Sequence, residues 1–334
     1  MSRRLIVHIG VMKSGTTYLQ KKLSRNHQRL AEQGIHFAVP WARQIQGYKE
    51  LRGATYASTG AWADLRSAID GHPGTSLISV EHFASMDPDS VRRLAEEFPD
   101  TTVDIVLTVR DLGRQVPSAW QSTLKNGHAW SFEEYVAGIA SSEPNDARRQ
   151  FWSRQHIPRI VRKWSQVFGT DRLTVVLVPP PGSPHSLWER FCAAADIADA
   201  DGWPEPERTN QSLGAASAQL LIKVNALAGE LTPPDQRRLI KPLARDVLPA
   251  LALDEPAIGF QVPDWLRARA AADADALKRS GVRLIGDLSD LTPVDVPGVA
   301  PSGLGPTDEL EVAANALTAL LMAGGGAAAR ADRD

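Results

Sequence analysis

Two rhythms of apolar residues take turns through the first half of the 334-residue chain. Short unbroken apolar runs read as buried strands, and longer segments with apolar residues every three to four positions read as helices. Leu5 to Ile9, Ile35 to Val39, Leu77 to Phe83, Val103 to Val109 and Leu173 to Val178 are the strand-like runs. Between them the spacing predicts a helix over Thr16 to Glu32, with Leu19, Leu23 and Leu30 on its apolar face and Gly34 marking its end. A second helix is expected over Asp89 to Phe98, and a largely helical stretch from Asn145 to Phe168 carries Pro158 as a kink. This alternation predicts an α/β fold, a central parallel sheet of about five strands flanked by helices. The Pro179-Pro180-Pro181-Gly182 run stops the last strand. Beyond it the rhythm is helical, over Leu187 to Asp196, Ser212 to Leu227 and Asp264 to Arg279. The expected organisation is one domain over 1–296, with an α/β core over 1–180 and a mainly helical part over 181–296. A Pro-, Gly- and Ala-rich tail over 297–334 completes it, helical only from Asp308 to Met322 and expected to be mobile at its end.

Composition narrows the function classes. With 43% hydrophobic residues the chain can bury a substantial core. Its 37 Lys and Arg against 39 Asp and Glu leave a net charge of −2, so no global basic field exists for nucleic acid or an anionic membrane. Any anion site must be local. The single Cys192 excludes an internal disulfide framework and suits a small core residue in a reducing compartment. The apolar run near the start falls short of the roughly 7 to 15 residues of a signal peptide, and no span approaches a membrane helix. A cytoplasmic protein is expected.

The chemistry starts at "HIGVMKSGTTYLQ", where the first strand gives way to a helix. Gly10, four intervening residues and Gly15 have the spacing of the phosphate-cradling P-loop, but Thr16 stands where that motif has lysine, and the lysine is displaced to Lys13. Amides at a helix start, with the positive end of the helix dipole, favour an anion there, and Ser14, Thr16 and Thr17 add hydroxyls. A cation moved away from the β/γ-phosphate position suits a shorter anion, one phosphate bearing one transferable group. Lys13-Ser14-Gly15-Thr16-Thr17 at the end of a first strand resembles the 5′-phosphosulfate loop of bacterial-type sulfotransferases that use 3′-phosphoadenosine 5′-phosphosulfate (PAPS). That resemblance implies a P-loop NTPase-like three-layer architecture, PAPS as donor, no metal, and a hydroxyl-bearing small-molecule, lipid or carbohydrate acceptor.

The donor's 3′-phosphate asks for a second anion site. In "VDIVLTVRDLGRQVPSAWQ", Arg110 ends the fourth strand and Ser118 follows eight residues later, near the start of the expected next helix. The resemblance implies that these two bind the 3′-phosphate, although Asp111-Leu112 stands where family members often have Asn-Pro. Arginine grips phosphate with paired N–H groups. In "RTNQSLGAASAQLLIKVN", Arg208 is a further candidate for that phosphate, and Asn210 or Ser212 either donates to it or caps the helix that follows.

Transfer to a hydroxyl also needs a base. The resemblance places it on the third strand, "LISVEHFASMD", where many members carry histidine and others glutamate. Side chains alternate along a strand, so Ser79 and Glu81 share one face and His82 takes the other. Glu81 is the favoured base and His82 the alternative. "ARRQFWSRQHIPRIVRKW" offers Arg148, Arg149, Arg154, Arg159, Arg162 and Lys163 to an acidic acceptor, or simply packs Trp152, Ile160 and Trp164 inward, which is favoured. Trp41, Trp62, Trp120 and Trp130 either line a pocket or belong to the core. Two alternatives to a sulfotransferase share the loop: a small-molecule or nucleotide kinase, which needs a metal-holding Asp for which Asp111 is the one candidate, and a non-catalytic nucleotide-binding module.

Overall fold

A computed structural model describes residues 3–38, 40–53, 59–207, 212–251 and 254–331. It contains one parallel sheet built from β1 (Arg4–His8), β2 (Ile35–Phe37), β3 (Thr75–Ser79), β4 (Thr102–Val109), β5 (Leu173–Leu177) and β6 (Arg283–Ile285). The order is β2-β3-β1-β4-β5-β6, with every neighbouring pair parallel. All five strands expected from the sequence are present. The sixth is three residues long and only partly buried, too short to leave a rhythm.

The chain divides into two compact units. The first comprises Met1–Leu112, Gln150–Glu207 and Arg267–Thr292 and holds the whole sheet. Alternation along the strands fills a core on each face. Leu5, Val7, Ile78, Ile105, Leu107 and Val175 pack under α3 (Trp41–Leu51), α4 (Ala61–Asp70), α5 (Pro88–Glu96), α9 (Ile157–Phe168) and α14 (Asp264–Arg279). Ile6, Leu77, Val106 and Val176 pack under α1 (Thr16–Arg25), α2 (His27–Glu32) and α10 (Leu187–Ala195). Each such fully buried aliphatic side chain contributes about 1.5–3 kcal/mol, so two continuous cores account for the three-layer arrangement.

Several local expectations are corrected. The helix expected over Thr16 to Glu32 breaks at Asn26, whose carboxamide donates to the carbonyls of Lys22 (2.8 Å) and Pro204 (3.1 Å) and so diverts the backbone from helix. Pro158 starts a helix instead of kinking one. It lies in the first turn of α9, where a missing N–H costs nothing, and α8 (Asp146–Gln155) ends just before it. α3 and α4 were not foreseen. They are tied by Glu50, whose carboxylate accepts from the amides of Thr59 (2.5 Å) and Trp62 (2.8 Å) at the start of α4. Those bonds, the Trp62 amide first, hold the Glu50 carboxyl at about 2.

The third strand stops at Ser79, earlier than expected. Val80 is still extended, but Glu81–Ser85 winds into a single 3-10 turn, pinned by the Lys163 ammonium on the carbonyls of Ala84 (2.9 Å) and Met86. Glu81 and His82 therefore sit on a turn, and the strand alternation invoked to separate them does not apply.

The second unit comprises Gly113–Arg149, Arg208–Leu266 and Pro293–Asp334. It contains most of α6 (Leu112–Leu124), α7 (Phe132–Ala140), α11 (Ala215–Leu227), α12 (Pro233–Pro242), α13 (Leu248–Ala250) and α15 (Pro306–Ala331). Trp120, Phe132 and Phe260 form its aromatic centre, with ring centroids 5.0 and 5.4 Å apart. Asn225 closes the end of α6 by donating to the carbonyls of Leu124 (2.9 Å) and His128 (2.8 Å). Of the two capping candidates for α11, Asn210 lies outside the described residues and Ser212 is not the cap. Gly214 opens the helix and Glu255 accepts from the Ser217 amide at 2.7 Å. α15 runs to Ala331, well past the expected helical stretch.

Candidate functional site

The loop from Ile9 to Gly15 joins β1 to α1 and is shaped by groups from three directions. Its backbone first continues along β4, with the amides of Ile9 and Val11 donating to Val106 and Thr108 carbonyls at 2.9 Å each. Gln155 Nε2 then donates to the Met12 carbonyl at 3.0 Å, and Arg110 Nη1 to the Lys13 carbonyl at 3.3 Å. With these carbonyls held from outside, Lys13 takes a left-handed conformation at φ 72°, a state that costs a non-glycine residue about 1–2 kcal/mol. Gly15 follows at φ 81° as the N-cap of α1. A Cβ on Gly10 would lie 2.1 Å from Thr108 Oγ1, so space fixes that glycine, whereas Gly15 is favoured by its left-handed backbone.

No acidic residue occupies the first turn of α1 and, among the described residues, no side chain caps it, which leaves its leading amides for an anion. Thr17 is half-buried there, and Thr16 is buried. Ser14 departs from expectation. It is fully buried, and its hydroxyl donates to the Val11 carbonyl at 2.6 Å while meeting Thr108 Oγ1 at 2.7 Å. Its proton is committed inside the protein, because a carbonyl can only accept.

Arg110 sits half-buried at the end of β4, in the same unit as the loop, followed by the buried Asp111. Ser118 belongs to the second unit. It lies in the middle of α6, since that helix already begins at Leu112, and not near a helix start as expected. Arg208 lies outside the described residues.

Glu81 is brought to the loop's helix. Its Oε2 accepts from Gln20 Nε2 at 2.8 Å, and the same amide nitrogen donates to the Ser79 carbonyl at 3.2 Å. Gln20 is one turn, roughly 5–6 Å, along α1 from Thr16. The His82 ring stacks on Tyr48 with centroids 5.6 Å apart. Burial lowers its pKa below the usual histidine value, Glu81 raises it, and Arg154, Lys49 and Arg52 lower it further. Positive charge thus gathers around His82.

The tryptophans divide. Trp120 and Trp164 are fully buried, Trp62 packs edge-on against Phe98, and Trp41 is exposed. Trp130 stacks on His128 at 4.2 Å. In the basic stretch Ile160 and Trp164 do pack inward, while Trp152 lies under the Arg269 guanidinium at 4.4 Å. Cys192 is buried, and burial pushes its thiol up to about 12, which leaves it inert.

One residue was missed from the sequence. His8, the last of β1, is fully buried and lies between Ser79 Oγ (2.7 Å from Nδ1) and Thr108 Oγ1 (3.1 Å from Nε2). Its signal was a polar residue at the carboxyl end of each of three strands, in "LIVH", "SLIS" and "IVLTV". Among the described residues no group of three His, Cys, Asp or Glu is placed to hold a metal ion, and no helix is long and apolar enough to cross a membrane.

No protein-family model and no curated protein matches the sequence. Among solved structures the chain is similar to a sulfotransferase from Alicyclobacillus acidocaldarius, at 16% identity and a TM-score of 0.43, over 84% of this chain and 95% of that one.

Proposed function

We propose that the protein is a sulfotransferase that moves the sulfuryl group of PAPS to a hydroxyl of an acceptor. The observation that carries this is the placement of Lys13. A lysine held in a left-handed turn two residues before the helix-capping Gly15, with threonine in place of the usual P-loop lysine, suits a single phosphate ester better than a triphosphate. The close-packed Gly10, the left-handed Gly15 and the acid-free first turn of α1 fit the phosphosulfate end of such a donor.

Lys13 and the first amides of α1 would hold the 5′-phosphosulfate, while Ser14, whose amide and hydroxyl both donate to the Val11 carbonyl, shapes the loop around it. Arg110, half-buried at the end of β4, would take the 3′-phosphate. Glu81, kept in place by Gln20, removes the proton from the acceptor hydroxyl as its oxygen attacks sulfur. The bond from sulfur to the bridging phosphate oxygen breaks, and the electron pair stays on that oxygen. Lys13 and the amides stabilise the charge that develops there. Products are the sulfate ester, 3′-phosphoadenosine 5′-phosphate, and a proton on Glu81. Radiolabelled PAPS offered with hydroxyl-bearing glycans, lipids and phenols tests this. Label should appear in at least one acceptor class with the wild-type chain and be nearly abolished with Lys13→Ala; equal transfer by both proteins rejects the assignment.

A further inference from the structure

His8, Ser79 and Thr108 stand side by side on three adjacent strands, on the face of the sheet that α1 and α10 cover. His8 pairs with Ser79 in the β1–β3 ladder, and its ring meets Phe191 of α10 edge-on at 5.0 Å. The protons in this cluster have one consistent arrangement. Ser14 must donate to the Val11 carbonyl, so it accepts from Thr108. Thr108 has then used its only proton, so it accepts from His8 Nε2–H. The remaining ring nitrogen, Nδ1, accepts from the Ser79 hydroxyl. Hydrogen bonds thus run in one direction from Ser79 through His8, Thr108 and Ser14 to the Val11 carbonyl, inside the anion loop. Burial keeps the ring neutral, with its pKa down at about 3, as this arrangement requires.

The near end of the chain is tied as firmly. Gln44 Oε1 accepts from the Ser79 amide at 2.8 Å, and Gln20 bridges the Ser79 carbonyl to Glu81. Gly10 leaves the room this needs, since a Cβ there would stand 2.9 Å from His8 Nε2 as well as against Thr108. Valine or isoleucine would fill such strand positions without any hydrogen-bonding demand, whereas a buried polar cluster specifies one geometry only when every member is satisfied.

We propose that His8 is a positioning residue that holds the anion loop and the Glu81 turn in fixed register through this continuous buried chain. Its consequence for turnover rests on the sulfuryl-transfer reading, because an in-line displacement requires the base and the leaving-group cation to be aligned within a fraction of an ångström, about 0.5 Å.

Thr108→Val, which keeps the shape and removes the hydroxyl, tests the proposal on the full chain, with Thr108→Ser as the conservative control and His8→Gln as a second break in the chain. Hydrogen exchange without ligand should be at least about tenfold faster at the amides from Val11 to Thr17 in T108V and H8Q, with the amides of α9 unchanged and T108S close to wild type. The affinity for 3′-phosphoadenosine 5′-phosphate should fall about tenfold in the same two variants and kcat should fall with it. Loop exchange equal to wild type in T108V, or acceleration spread evenly over the sheet, overturns the positioning role. Faster loop exchange in a protein whose wild type takes up no nucleotide upholds that role and rejects the donor assignment instead.

Discussion

Arg110 Nη1 donates to the main-chain oxygen of Lys13 at 3.3 Å, so the residue assigned to one end of the donor also holds the loop assigned to the other. Arg110→Lys keeps the charge but not the reach or the fork of donors. It should raise KM for PAPS roughly tenfold, about 1.4 kcal/mol, while KM for the acceptor stays within about twofold. Steady-state kinetics with each substrate varied in turn checks this.

Lys13 combines a strained backbone with the central charge, and two substitutions separate them. Lys13→Gly relaxes the left-handed turn and should stabilise the protein by up to about 1 kcal/mol, seen as a higher Tm, while abolishing most transfer. Lys13→Ala keeps the strain and should lose about 10²–10³-fold in kcat, the usual cost of removing one group that stabilises charge in the transition state. Stability gained as activity is lost marks a residue held for chemistry.

Glu81→Gln preserves shape and the neighbourhood of Gln20 but cannot accept a proton. A fall in kcat of about 10²–10⁴, with affinity for 3′-phosphoadenosine 5′-phosphate kept, is the expected outcome in combined kinetics and calorimetry. His82→Ala should cost far less, because that ring is engaged by Tyr48. If the large loss follows His82→Ala instead, the base is misassigned.

Acid should weaken the fold through His8. Burial lowers its folded pKa to about 3 from the usual histidine value of 6.5, so below about pH 6.5 the unfolded chain takes up a proton that the folded chain refuses. This contribution to stability is complete above pH 6.5 and declines by about 1.4 kcal/mol per pH unit as pH falls toward 3. His156, held at about 4 chiefly by burial, acts in the same direction. Denaturant unfolding from pH 8 to 4 should show a steeper decline for wild type than for His8→Gln, since the other titrating groups are common to both.

The first strand, its glycine loop and α1 were legible because rhythm, spacing and glycine are local properties, and the structure needs each of them within a dozen or so residues. The end of β3 was not. Glu81-His82-Phe83 continues the strand's alternation, and the turn they form is pinned by Lys163 and Gln20, both far away in sequence. Asn26 looks like an ordinary polar position within a helical rhythm until Pro204 comes to meet it. His8 was hidden for a related reason. A single polar residue inside an apolar run gains meaning only when β3 and β4 bring Ser79 and Thr108 to its two sides. Ser14 looked like a ligand for the anion because nothing in its own segment reveals that it faces Thr108.

The most direct test of the account is titration calorimetry of the full chain with 3′-phosphoadenosine 5′-phosphate and, separately, with ATP plus Mg²⁺. Saturable binding of the bisphosphate, weakened by Arg110→Lys and by Lys13→Ala, together with much weaker uptake of the triphosphate, is the expected result. Tight magnesium-dependent binding of ATP with none of the bisphosphate would contradict it.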